Sequence, residues 1–177
     1  MRQELELRPS ITAAVKESGD ALYGVELLVY EELKRLLYSS MASANADITR
    51  NPKTIVAAAL AKLLPKGADK DRIAWFYALA ASCMRRLLIE HATAALRESH
   101  EAHAYSQALT RSARLIKFHF ALEQLQARQP LCARIAELHY FAGCSTEEIT
   151  TLLNMPRGTV VSEFRFARAW LAAASEE

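Results

Sequence analysis

The sequence predicts an all-α protein made of two small helical domains, and three observations support this prediction. Alanine, leucine, glutamate and arginine dominate the chain, and these residues favour helices. Glycine and proline number only five each, and they fall where helix boundaries are needed. Apolar residues recur at steps of three and four along most of the chain. A length of 177 residues allows one large or two small domains, and either size can bury a core.

The first half of the chain is expected to form four helices, because proline, glycine and aspartate mark their ends. The small, polar stretch from Ser39 to Asn51 is predicted to be a loop. The four expected helices are a short one from Pro9-Ser10 to Gly19, a long one capped by Asp20, one from Asn51-Pro52 to Pro65, and one from Asp69–Asp71 toward Arg97.

The second half is expected to form one further long helix and three shorter ones. Periodicity fades from Glu98 to Gln107, which predicts a linker, and the fifth helix ends before Pro130. The last three helices are predicted at 131–141, 146–153 and 157–173. We therefore expect a first domain over residues 1–97, a linker and the start of a connecting helix over 98–114, and a second domain over 115–177.

The most informative stretch runs from Gly143 to Leu171 and predicts a helix-turn-helix. Ser145 with Glu148 three residues later is a capping box, which starts a short helix. Asn154 suits the turn because it tolerates a left-handed backbone, and Pro156 suits the start of the next helix. Two short helices with a tight turn can place the second helix in the major groove of DNA. The alternative is a helical hairpin with no role in DNA binding.

Several segments resemble one family. The segment ELHYFAGCSTEEIT is similar to a Glu-Leu-Arg-Tyr-Phe-Gly-Gly-Leu-Ser-Val-Glu-Glu pattern, and FRFARAWL is similar to a Trp-Arg-Phe-Ala-Arg-Ala-Trp-Leu ending. Upstream, TIVAAALAKL and AWFYALAASCMRRLLIEHA resemble the first domain of the same proteins. The chain thus resembles the bacterial extracytoplasmic-function (ECF) sigma factors from about Ile11 to Ala173, as a divergent member.

The resemblance implies a transcription initiation factor whose partners are core RNA polymerase and promoter DNA. The first domain would grip the polymerase and open the promoter at its minus-ten element, and the second would read the minus-thirty-five element. The implied polymerase-binding residues are Ile55, Val56, Ala59, Leu60 and Leu63. The implied promoter-melting residues are Trp75, Phe76, Arg85 and Arg86. The implied recognition-helix residues are Arg157, Thr159, Val161, Ser162, Arg165 and Arg168.

These roles have a physical basis and an alternative. An aromatic ring beside a basic groove can stack on an unpaired base, and arginines can neutralise phosphates. Trp75 and Phe76 are equally typical of a helical core. Arg85 and Arg86 are adjacent, so they point about 100° apart and cannot both face one partner squarely.

The chain departs from the family pattern in its polymerase-binding helix and in two regions where positive charge is usual. The polymerase-binding helix has Val56-Ala57-Ala58-Ala59 in place of acidic or other polar residues, and Thr93–Leu96 stands where a basic run is usual. In the recognition helix, the positions that are basic in the family are occupied here by Gly158, Val161 and Ser162, and an acidic Glu163 follows. Each missing phosphate contact weakens DNA binding.

Nothing in the sequence indicates an enzyme, a cofactor or a metal site. The glycines form no phosphate-binding loop, and no catalytic motif is evident. His100 and His103 could share a metal ion on a helix, but no third ligand lies at a sensible spacing, so these histidines with Glu98 and Glu101 fit a solvated linker. The three cysteines are far apart and expected to be reduced and partly buried. With no signal peptide and no apolar run long enough to cross a bilayer, we expect a cytoplasmic protein with no small-molecule substrate.

Three functions therefore remain open. The leading hypothesis is the sigma-like initiation factor. The second is a degenerate, sigma-derived protein-interaction or regulatory module with weak or no DNA binding, which includes self-association. The third is a conventional helix-turn-helix regulator that acts without polymerase and would dimerise to meet two half-sites.

Overall fold

A computed structural model describes residues 19–42, 52–102 and 107–176, and these residues form helices joined by short connections. The predicted helix after Pro9-Ser10 lies outside the described residues. The all-α prediction is confirmed, since the described residues contain no strand. The helices are α1 (Gly19–Ala42), α2 (Pro52–Leu63), α3 (Lys70–Ala102), α4 (Gln107–Arg128), α5 (Pro130–Ala142), α6 (Thr146–Leu153) and α7 (Arg157–Glu176).

Two helices are longer than predicted. Helix α3 continues through Arg97 to Ala102, into the stretch that fading periodicity predicts to be a linker, and α1 continues past Ser39 to Ala42. No glycine or proline interrupts either extension, and glutamate and alanine favour a helix even without an apolar stripe. A loss of periodicity therefore does not end a helix, because periodicity reports burial and not backbone conformation.

The chain divides into two compact units. The first unit holds the described residues up to Met84 together with Tyr140–Gly143. The second unit holds Arg85–His139 and the described residues from Cys144 onward. Helix α3 contributes to both units, with the change between Met84 and Arg85. The domain limits at residues 97 and 114 stay a prediction.

The core of the first unit forms where α1 packs on α2. Burial of these apolar side chains stabilises the pair, because it removes hydrocarbon surface from water. A buried carboxylate, Glu32, lies at the edge of this core and pairs with Lys62 and Arg35. The core side chains are Val25, Val29, Leu33 and Leu37 of α1 and Ile55, Val56, Ala59 and Leu63 of α2.

The core of the second unit forms where α7 packs on α4 and on α6. The stripe that α7 buries is the one expected from its spacing: Val160, Ala167 and Leu171 are buried. Phe164, half-buried, stacks against the ring of His139 with 4.4 Å between ring centroids. Other buried side chains of this unit are Leu122, Leu125, Ile135, Leu138 and Ile149. No described helix has the length and apolarity required to cross a membrane.

Candidate nucleic-acid interface

The helix-turn-helix is built from local interactions that the sequence predicts. Ser145 Oγ accepts from the Glu148 amide at 3.2 Å, and Glu148 Oε2 accepts from the Ser145 amide at 2.8 Å. This capping box satisfies two amides that the first turn of α6 leaves unpaired. Asn154 ends α6 in the left-handed conformation, with φ 49° and ψ 47°. The turn therefore redirects the chain so that α7 can begin directly after Pro156.

One side of α7 carries a row of exposed arginines beside the stripe that α7 buries. With about 100° per residue, Arg157, Val161, Arg165 and Arg168 fall within an arc of roughly 80°. We call these four residues the arginine stripe. The three arginines are exposed, and Val161 is half-buried. Arg165 and Arg168 make no ion pair with any described residue, so their charges are available to a polyanion.

Two of the six expected recognition residues lie off this stripe. Thr159 is about 180° around the helix from Arg168 and is half-buried. Ser162 is exposed, roughly 60° beyond Arg165, and its hydroxyl donates to the Thr159 carbonyl at 2.9 Å. A ligand bound to the arginine stripe would contact Ser162 only at the edge of the interface and would not contact Thr159.

Arg157, at the start of α7, is held by a carboxylate from α6. Its Nη2 and Nε donate to Glu147 Oε1 at 3.1 and 3.3 Å. A hydrogen bond to its own backbone amide, and then the bonds from Arg157, hold the pKa of Glu147 below its usual value. Both side chains are mostly exposed, and such ion pairs contribute little to stability. A phosphate group could therefore compete with Glu147 for Arg157.

Glu163 follows Ser162 in the recognition helix, but its side chain points toward α5 and not toward the arginine stripe. Its Oε2 accepts from the buried Cys132 Sγ of α5 at 2.7 Å. Burial, and then the hydrogen bond and charge of Glu163, raise the pKa of Cys132 to about 11. Glu163 lies three residues after Val160 and four before Ala167, which is the spacing of the buried stripe. That spacing was the available signal for this contact, which the sequence reasoning missed.

The expected promoter-melting residues have different environments. Phe76 is only 1% exposed and meets Tyr77 edge-on, so it is part of the core of the first unit. Trp75, its neighbour, is half-buried and retains some exposed surface. Phe76 is therefore a core residue, whereas Trp75 is only partly buried.

Arg85 and Arg86 also differ, as their 100° separation predicts. Arg85 Nε lies 3.1 Å from Glu137 Oε1, and the two side chains are 20% and 9% exposed. Burial raises the pKa of Glu137, while Arg85 and Arg134 act in the opposite direction. Arg86 is exposed, 3.9 Å from Glu90 on the next turn. Arg85 is therefore engaged inside the second unit, whereas Arg86 lies on a surface.

The expected polymerase-binding residues lie mainly in the core. Ile55, Val56, Ala59 and Leu63 are buried, and Leu60 is half-buried. A short helix usually buries its large apolar side chains against a neighbouring helix. The buried residues of α2 are therefore poor candidates for direct contact with another protein. The face of α2 that remains exposed consists of Lys53, Thr54, Ala57, Ala58 and Ala61.

The side chains that commonly bind metals are not clustered in the described part of the chain. Among them, no group of three or more histidine, cysteine or acidic side chains is placed to hold a metal ion. Cys83, Cys132 and Cys144 are reduced and buried. The side chains of His100, Glu101 and His103 lie outside the described part of the chain.

Comparison with known proteins gives a family match that covers most of the chain. A family model described as ECF sigma factor matches residues 11–177. No curated protein and no solved structure gives a significant match.

Proposed function

Because the chain belongs to the ECF sigma factor family, a family of transcription initiation factors, we propose that it binds core RNA polymerase and directs it to promoter DNA. Residues 115–177 would read the promoter, residues 1–97 would contact the polymerase, and residues 98–114 would connect them.

The arginine stripe of α7 is the observation that carries the DNA-binding part of this proposal. Its three arginines lie on the helix that a helix-turn-helix presents to the major groove. Arg165 or Arg168 can donate two hydrogen bonds to a guanine edge, and Val161 can contact a thymine methyl group. Because Glu163 bonds to Cys132, its carboxylate is held away from the stripe.

For the polymerase contact, the exposed face of α2 is the better candidate. Its surface of Thr54, Ala57, Ala58 and Ala61 is smooth and small, and Lys53 lies at one end. Small side chains allow another backbone to approach closely. The apolar residues beneath, including Ile55 and Val56, would support this face by packing on α1.

For promoter melting, Trp75 and Arg86 remain the candidates. Trp75 is half-buried, and a partly exposed indole can stack on a base; Arg86 is exposed on a later turn of α3. Phe76 and Arg85 would act indirectly, since the first fills a core and the second pairs with Glu137.

A second candidate is the regulatory protein-interaction module, and exposed aromatic surface favours it. Phe166 is 46% exposed and lies 6.4 Å from Trp170, ring centroid to ring centroid. Arg128 stacks over Trp170 at 5.2 Å. Exposed aromatics beside arginine are typical of protein interfaces. This surface lies on a different side of α7 from the arginine stripe, so both functions can coexist.

In vitro transcription tests the proposal directly. The full chain is added to core RNA polymerase with a genomic promoter library, and transcripts that require the chain are sequenced. We expect specific transcripts with the wild type and loss of them with Arg165→Ala/Arg168→Ala. The control is Arg111→Ala/Arg114→Ala, which removes two exposed arginines of α4 with the same change in charge.

Two outcomes would contradict the proposal. Absence of chain-dependent transcripts, together with no retention of polymerase at micromolar concentration, would favour the regulatory module. Equal losses in the two arginine variants would show that the charge of the chain matters and the stripe does not.

A further inference from the structure

From the contact between α5 and α7, we infer that Cys132 and Glu163 are positioning residues for the recognition helix. Their hydrogen bond sets the rotation of α7 about its axis, and so decides which side chains face outward. The inference rests on the proposed function, because it concerns how the arginine stripe is presented to DNA.

The geometry assigns the two residues complementary roles. Cys132 lies near the start of α5, is 1% exposed and offers one S–H donor. Glu163 lies near the middle of the groove-reading part of α7 and accepts that hydrogen bond at 2.7 Å. The two are 31 residues apart in the chain, so the bond fixes a tertiary relationship. Because the pKa of Cys132 is raised to about 11, the thiol keeps its proton and remains a donor near neutral pH.

The angular positions on α7 explain why this bond matters for the stripe. Glu163 lies roughly 160° around the helix from Val161, near the middle of the arginine stripe. Holding Glu163 against α5 therefore turns the stripe outward. Burial of Val160 and Ala167 selects the side of α7 that faces the core but not its exact rotation, because apolar burial is non-directional. A hydrogen bond has direction, and so it selects one rotation.

The same bond keeps a negative charge away from DNA. Without a donor at residue 132, the half-buried Glu163 carboxylate would lose this hydrogen bond, and a partly desolvated charge without a partner is unfavourable. It would gain hydration by rotating toward the edge of α7. Only the fraction of molecules with the correct rotation would then bind, and the apparent dissociation constant rises in proportion.

The test compares Cys132→Ala with Cys132→Ser in the full chain. The probe is a fluorescent duplex carrying the promoter that wild-type protein selects in transcription, and the readout is fluorescence anisotropy. We expect Cys132→Ala to weaken binding roughly tenfold, as for loss of one hydrogen bond to a charged group. Cys132→Ser retains a donor and should restore affinity to within about twofold, since a hydroxyl replaces the thiol. Cys83→Ala, which removes a buried thiol from the first unit, should leave affinity unchanged.

Glu163→Gln distinguishes positioning from general damage to the fold. In a double-mutant cycle, Cys132→Ala should cause little further loss of affinity when residue 163 is already altered. The infrared S–H stretching band of Cys132, assigned by its absence in Cys132→Ala, should shift in Glu163→Gln. That band reports the hydrogen bond whether or not the protein binds DNA.

The results separate the two proposals. If wild type binds no duplex while the S–H band shifts, the DNA-binding function fails and the contact stands. If wild type binds but Cys132→Ala binds equally well, the positioning role is refuted. An unshifted band, or failure of Cys132→Ser to restore affinity, also overturns it.

Discussion

Lys62 Nζ of α2 donates to Glu32 Oε2 of α1 at 3.0 Å, and this ion pair joins the two helices at the edge of their shared core. Glu32 also accepts hydrogen bonds from Arg35 on its own helix. Burial alone raises the pKa of Glu32, but the bonds from Arg35 and Lys62 outweigh that effect and leave its pKa below the usual value. The pair therefore fixes the helix that we assign to polymerase binding.

The pair predicts a measurable effect on stability. Lys62→Met should reduce the free energy of unfolding by about 1 kcal/mol, because it removes one of the hydrogen bonds that offset the burial of Glu32. Lys66→Met, at an exposed site in the following turn, is the matched control and should change stability little. Urea denaturation followed by circular dichroism measures both, and equal effects would contradict the prediction.

The same carboxylate predicts the direction of a pH dependence. The pKa of Glu32 is lower in the folded than in the unfolded chain, so its contribution to the free energy of unfolding is fully present above its unfolded-state pKa. That contribution to stability is lost as the pH falls through its folded-state pKa. Glu32→Gln should remove this component, so its melting temperature should fall less steeply than that of wild type on acidification. If the melting temperatures of wild type and Glu32→Gln fall in parallel on acidification, Glu32 does not contribute to the pH dependence and the prediction is wrong.

Two glycines predict opposite effects of the same substitution. Gly143 has φ +68°, and a Cβ there would lie 2.7 Å from Lys53 Cβ and its backbone nitrogen. Gly143→Ala should cost at least 1–2 kcal/mol, roughly the penalty of a left-handed backbone, plus the steric clash. A Cβ added at Gly158 in α7 would meet no atom within 4 Å, so Gly158→Ala should stabilise by about 0.5–1 kcal/mol. Thermal unfolding of the two variants checks both signs.

The pair between Arg157 and Glu147 predicts a gain in DNA binding on mutation. Glu147→Gln removes the carboxylate that competes with phosphate for Arg157. We expect tighter binding, with a plot of log affinity against log salt steeper by at most about 0.9, the value for one added phosphate contact. Glu123→Gln on α4 makes the same change in charge away from the stripe. If both variants gain equally, the effect is one of net charge alone.

Adjacent arginines in α3 predict contrasting phenotypes. Arg85→Ala should destabilise the chain by about 3 kcal/mol, because it leaves Glu137 buried without its nearest cation. Arg86→Ala should be nearly neutral for stability, since its pair with Glu90 is exposed. Burial raises the pKa of Glu137 in the folded chain. Ionisation of this carboxyl therefore lowers the free energy of unfolding as the pH rises through its folded-state pKa. The loss in Arg85→Ala should therefore grow with pH, and a pH-independent loss would argue against this assignment.

Local signals in the sequence determined most of the secondary structure. The capping box of Ser145 and Glu148 and the left-handed Asn154 define the helix-turn-helix from interactions within a few residues. Pro52 and Pro130 each stand at the first position of a helix. Such features depend on neighbours in the chain, and for that reason they could be predicted without coordinates. The order of motifs along the chain also identified the family, which the match over residues 11–177 confirmed.

Only the tertiary structure decided which side chains are available to a partner. Ile55 and Val56, which the resemblance assigns to polymerase binding, pack on α1, and Arg85, which it assigns to DNA, pairs with Glu137. Both assignments stay predictions. Glu163 bonds to Cys132. These partners are tens of residues apart, and local periodicity gives the side of a helix that is buried without saying what covers it. The sequence thus determines the helices and their family, whereas long-range packing determines which side chains stay exposed to a partner.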